Sequence, residues 1–146
     1  MQGVGEQLRR AVDRVRPALD QLSEEAASRT VAPGGWSRKE ILGHLIDSAS
    51  NNHQRFVRAQ LERELTWPGY DQPGCVRVQK YQEYSWPHLA QFWSAYNLFL
   101  AHVLDSVPAP DASVLCRIGD DAPMTLEELA RDYIRHMEHH LEQIVD

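Results

Sequence analysis

The chain is poor in the features that would tie it to a membrane, to nucleic acid or to a disulfide framework. Its two cysteines, Cys75 and Cys116, lie far apart and outside any C-x-x-C pair, which excludes a thiolate zinc site and a dithiol redox motif. They read as free thiols of a reducing compartment. No apolar run approaches the roughly 18 residues that a membrane-spanning helix needs. The opening "MQGVGEQLRRAVDRVRP" lacks the apolar centre of a signal peptide, so a soluble cytoplasmic protein is expected, without a membrane partner. Basic residues are also in the minority. Against 15 Lys and Arg stand 21 Asp and Glu, a net charge of −6, and no nucleic-acid partner is expected. Strand-type alternation is scarce, and no repeat, low-complexity stretch or linker divides the 146 residues. A single domain over residues 1–146 is expected, large enough to bury a core without a metal or disulfide staple.

Helical periodicity is what the chain does contain. Leu8, Val12, Val15, Leu19 and Leu22 recur every three or four residues, which predicts an amphipathic helix over 5–27 with a kink at Pro17. After "APGG", the stretch "WSRKEI" supplies a full start signal. Ser37 is the N-cap, Glu40 closes a capping box, and Trp36 and Ile41 form a hydrophobic staple. Helix two should run over 38–61. Residues 62–84, centred on "TWPGYDQPG", read as a long connection. Helix three, from Ser85 to Ser106, is apolar over much of its circumference and should be the most buried, with Trp86, Trp93, Tyr96 and Phe99 in the core. "MTLEEL" repeats the start device, with Thr125 and Glu128 as capping box and Met124 and Leu129 as staple. The expected fold class is therefore all-α, a four-helix bundle. A connection of about 23 residues between helices two and three can run the length of the bundle and set the two parallel, giving an up-down-down-up order.

The stretch "RHMEHHLEQI" holds three of the seven histidines. Four residues separate His136 from His140, hence about 40° and about 6 Å along a helix, so the two share a face. His139 projects about 100° from His140 and is a bystander. An i, i+4 pair is what one helix can offer a single metal ion, and zinc requires at least one ligand more. Helix two offers His44, which flanks its apolar stripe beside Ser48, Asn51 and Arg55. His44 lies about 10 Å into its helix, while His140 and His136 lie roughly 8 and 14 Å from the end of theirs. Antiparallel packing of helices two and four brings all three to one depth, so His44, His136 and His140 are the candidate metal ligands. His53, His88 and His102 are assigned ordinary hydrogen-bonding roles.

In order along the chain, "GWSRKEILGHLIDSASNNHQRFVRA", "PGYDQ", "VQKYQEYSW", "LAQFWSAYNLFLAHVL" and "LARDYIRHMEHHLEQI" resemble the DinB/YfiT-like superfamily of metal-dependent enzymes. The most specific parts are the "GHLIDS" histidine and the H-x-x-x-H pair. That resemblance implies the up-down-down-up bundle and a divalent metal held by His44, His136 and His140. It also implies a small-molecule substrate, because members include thiol-dependent S-transferases and isomerases that use low-molecular-weight thiols, besides proteins named as hydrolases. The chain departs from the family in the middle, where "PGCVRV" follows "YDQ" and relatives often place a tryptophan.

An all-nitrogen site suits zinc or nickel, with iron as a third candidate. Three neutral imidazoles leave such an ion an open position at which water reaches a pKa near 7 and a thiol ionises. Thiol transfer is placed slightly ahead of hydrolysis, because no carboxylate is read on the histidine face of the last helix. Asp47 and Asp71 are the only candidate bases. Arg55 is a candidate for meeting an anionic substrate, and Asn51 and Gln143 for orienting the imidazoles. The alternative is a non-catalytic metal-binding or dimerising bundle, and a homodimer is compatible with either reading.

Overall fold

In the computed structural model, which describes residues 1–146, helix boundaries follow the side chains that satisfy first-turn N–H groups. Helix α1 (Val4–Gln21) and a short helix α2 (Glu24–Ser28) occupy the segment expected to form one helix. The break falls at Leu22–Ser23 and not at Pro17, which α1 accommodates. Ser23 is extended and accepts from the Ala26 amide, so it caps a new helix instead of prolonging the old one. Helix α3 (Arg38–Glu62) begins at the expected capping box: Ser37 Oγ accepts from the Glu40 amide, and the Glu40 carboxylate accepts from the Ser37 amide.

The following connection is more ordered than its Pro and Gly content implies. It carries strand β1 (Leu65–Trp67), helix α4 (Gln72–Gln79) capped by Asp71, and a 3-10 turn at Tyr81–Glu83. Helix α5 (Trp86–Asp105) and a second 3-10 turn (Ala109–Ser113) lead to β2 (Leu115–Ile118) and β3 (Met124–Thr125). Helix α6 (Leu126–Val145) then starts at the Thr125/Glu128 capping box. β1 pairs with β2 in parallel and β2 with β3 antiparallel. Periodicity does not reveal this small sheet, because strands of two to four residues are too short for alternation to register.

Contacts near the helix ends fix the directions. Trp86 Nε1 donates to the Leu19 carbonyl and Arg9 pairs with Asp105, so α1 and α5 are antiparallel. Arg38 Nε donates to the Ile144 carbonyl, so α3 and α6 are antiparallel. At the start of α3, Lys39 pairs with Glu24, whose carboxylate also accepts from the Trp86 amide at the start of α5. Halfway along, His53 meets Tyr96, so α3 and α5 are parallel. The four long helices thus run up, down, down, up, with α1 and α3 each packed on α5 and α6.

A cluster of 36 buried apolar residues joins them. The most buried helix is α3, with 14 of 25 residues inside, and not α5, with nine of 20. α5 packs chiefly on α1 and α3, and Phe92, Leu98 and Phe99 on its outer side remain exposed. Trp86 and Trp93 do lie in the core, Tyr96 packs at its edge, and Phe99 lies outside it.

Candidate metal centre

The region around His44 is shaped by its neighbour Gly43. A Cβ on Gly43 would lie 2.2 Å from the Tyr81 ring, so glycine is what lets Tyr81 lie flat on α3. Tyr81 donates to Asp47 Oδ1 at 2.6 Å, and Gln79 Nε2 donates to the same oxygen at 2.7 Å. On the other side the Trp36 ring lies 5.1 Å from the imidazole. His44 is 1% exposed.

Because α6 runs antiparallel to α3, its last turns arrive at the depth of His44. The ring centroid of His44 lies 5.2 Å from that of His136 and 4.9 Å from that of His140, and these two are 4.6 Å apart. One ring nitrogen from each residue falls within 4.8 Å of the others. His44 Nε2 and His136 Nε2 are 3.3 Å apart. Two nitrogens held at about 2.0–2.1 Å by one tetrahedral ion are separated by about 3.3–3.4 Å, so this pair already has ligand spacing. The Nδ1–H of His140 donates to Gln143 Oε1 at 3.0 Å, which leaves Nε2 as the lone-pair nitrogen.

Electrostatics favour the ligand form. Burial, with His140 and His136 adding to it, holds the His44 pKa down to about 4. Burial and His140 also lower His136, against an opposing effect of Asp132 and with a small contribution from His139. Both rings are neutral at pH 7, as metal binding requires. Nδ1 of His44 is buried without a hydrogen-bond partner, and no carboxylate contacts the inward-facing nitrogens to compete with an ion. The three residues therefore fit a divalent cation by spacing, protonation and donor chemistry.

Other sequence-stated candidates are placed differently. His139 is exposed beside the cluster, and His102 is exposed on α5. His53 has the ordinary role expected, bonding the Tyr96 hydroxyl at 2.9 Å. Gln143 meets an imidazole as anticipated, whereas Asn51 does not: its amide donates to the Asp47 carbonyl one turn back. Asp47 is buried and held by Tyr81 and Gln79, and Asp71 caps α4 through the Gly74 amide. Neither lines the pocket described next.

A pocket of about 540 Å³ adjoins the cluster at His136. One wall is α3, through Ser48, Asn52 and Arg55. Facing it are Leu129, Asp132 and Tyr133 of α6, and the turn between β2 and β3 closes one side. Asp132 corrects the expectation that the histidine face carries no acid. It precedes His136 by four residues just as His136 precedes His140, so one face reads D-x-x-x-H-x-x-x-H. The signal was present in "DYIRHMEHH" and needed only one further turn of the same step.

Comparison with known proteins agrees with this architecture. The profile of the DinB superfamily matches residues 7–144. A protein of Oceanobacillus iheyensis, provisionally named a metal-dependent hydrolase, is 29% identical over 66 residues, which are 45% of this chain. The match spans 38% of that protein's length. YfiT from Bacillus subtilis, described as a probable metal-dependent hydrolase with an unusual four-helix bundle topology, superposes with a TM-score of 0.85. That superposition covers 97% of this chain and 81% of YfiT at 18% identity, a likeness of fold. With nearly its whole length matched by the family profile, the chain belongs to the DinB superfamily.

Proposed function

We propose that this protein is a divalent-metal-dependent hydrolase of a small substrate, with His44, His136 and His140 as metal ligands and Asp132 as proton acceptor. The observation that carries this reading is the convergence of three imidazoles, one of which, His136, lines the pocket together with the Asp132 carboxylate. A bound zinc or nickel ion, or iron, would supply Lewis acidity and lower the pKa of water toward about 7.

The chain's own residues supply the rest. Asp132 faces the pocket one turn from His136, where it can take a proton from an attacking nucleophile. Its ion-pair partner Arg135 is exposed and does not line the pocket. Tyr133 donates to Asn97 in the core at 2.5 Å, which fixes the backbone between Asp132 and His136. Met124, Leu129 and Ile118 give the pocket an apolar side. Hydrolysis moves ahead of thiol transfer because water needs a proton acceptor, whereas a thiol with a pKa near 8.5 needs little help. The naming of both similar proteins as metal-dependent hydrolases supports the same order.

The test is a screen of the zinc-loaded and nickel-loaded protein against p-nitrophenyl esters, and against small thiols with a chlorodinitroaromatic acceptor. Ester hydrolysis should disappear on chelation and in His44→Ala. Asp132→Asn should lower kcat by about a hundredfold or more while metal content stays unchanged. Thiol-dependent turnover indifferent to Asp132→Asn would establish S-transfer instead. Metal binding without turnover on either set would favour the non-catalytic bundle.

A further inference from the structure

Arg55 lies eleven residues beyond His44 on α3. Eleven residues amount to three turns and about 20°, so both side chains leave the same helix face about 16 Å apart along its axis. Ser48 and Asn52 lie between them on that face, and with Arg55 they line the pocket that ends at His136. The pocket therefore extends from the histidine cluster toward a guanidinium.

Arg55 is 8% exposed and forms no ion pair; the carboxylate acting on it, Asp121 across the pocket, does so through space without contact. The guanidinium's contacts are long and neutral: Nη1 to Asn52 Oδ1 at 3.4 Å and Nη2 to the Pro68 carbonyl at 3.5 Å. Nε has no partner at all. The other buried cation, Lys39, is paired with Glu24 at 2.7 Å. A buried cation without a contacting counter-anion is costly, and a guanidinium fork matches a planar carboxylate with two parallel hydrogen bonds.

We infer that Arg55 recognises a carboxylate on the substrate, so that the pocket takes an elongated small molecule with its reacting group at the histidine end and its carboxylate at Arg55. The position of the reacting group rests on the proposed function; the role of Arg55 stands on its own contacts. A single negative charge is the better match. Asp120, Asp121 and Asp132 also line the pocket, and they would repel a phosphate dianion or a polyanion. Between the two ends, Ser48 and Asn52, bonded to each other through Asn52 Nδ2, give the pocket a neutral polar wall.

The test measures binding of hexanoate, octanoate and their primary amides at low ionic strength by calorimetry, with inorganic phosphate as a further arm. Both zinc-loaded and chelated protein are used, because a carboxylate can also bind a metal. At least one acid should bind about tenfold or more tightly than its amide in both metal states, the strength expected of charge-assisted hydrogen bonds. Arg55→Met should erase that preference, Arg55→Lys should keep part of it, and metal content should be unchanged in both. Arg55→Met should also melt no lower than wild type, since a purely structural arginine would lower the melting temperature when removed. Equal binding of acid and amide, no binding of either, or phosphate binding better than the acids would overturn the inference. So would a preference that survives Arg55→Met or vanishes on chelation. Failure of wild-type protein to hold metal would overturn the proposed function alone, because the acid preference of chelated protein is read separately.

Discussion

Burial decides which protonation state His44 adopts. In the unfolded chain its imidazole titrates near the ordinary value of 6.5, whereas in the fold it resists protonation down to about 4. Between these values the unfolded chain binds more protons, so folding stability falls as pH drops from about 6.5 toward 4 and is unaffected by this group above 6.5. His136 shifts in the same direction. Chelated protein should accordingly show a urea midpoint that is level from pH 8 to 7 and declines below 6.5, and His44→Asn should flatten the upper part of that decline. A midpoint that rises on acidification would contradict the burial of a neutral ring. His139→Ala and His102→Ala should leave metal content unchanged; loss in either would mean that the ligand set is wrongly drawn. The clustering of His44, His136 and His140 was legible because two independent readings, the i, i+4 spacing and the depth of each residue in its helix, converge on it. Asp132 is legible by the same step. What spacing does not reveal is which acids are already engaged: only the packed structure shows Asp47 tied to Tyr81 and Asp71 spent on a helix cap.

Among the elements, the junction of α3 with the Tyr81 turn most directly supports the site. Alanine would normally favour a helix over glycine by about 1 kcal/mol. At Gly43, however, the added methyl would collide with a ring that is fixed by its hydrogen bond to Asp47. Gly43→Ala should therefore destabilise the protein by about 1–3 kcal/mol, measured by urea denaturation, and an increase in stability would show that Tyr81 moves freely. Both predicted capping boxes formed, because a Ser or Thr three residues before a Glu is a local signal that tertiary packing had no reason to override. Ser23 is a cap of the same chemistry inside an otherwise continuous apolar period, and the period concealed it. The exposure of Phe92, Leu98 and Phe99 has a different cause: composition shows how apolar α5 is, but only the arrangement of its neighbours determines how much of it is covered.

For the whole molecule, the connection between α3 and α5 sets the direction of the bundle, and the direction sets the site. Parallel α3 and α5 leave α6 antiparallel to α3, which is the condition for His136 and His140 to reach His44. The core of 36 apolar residues does not include the cluster, so the fold should survive without metal. A metal that binds only the folded chain adds about 2.7 kcal/mol at a hundred times its dissociation constant. Chelation should thus lower the melting temperature without abolishing cooperative unfolding, and His136→Ala should remove the difference between chelated and metal-supplemented samples. The most direct measurement is elemental analysis of reconstituted protein after exhaustive removal of free metal. About one divalent ion per chain is expected for wild type, and less than about a tenth for a folded His136→Ala variant. Stoichiometric metal retained in a folded His44→Ala, His136→Ala, His140→Ala variant, or none bound by wild type, would contradict the three-histidine centre.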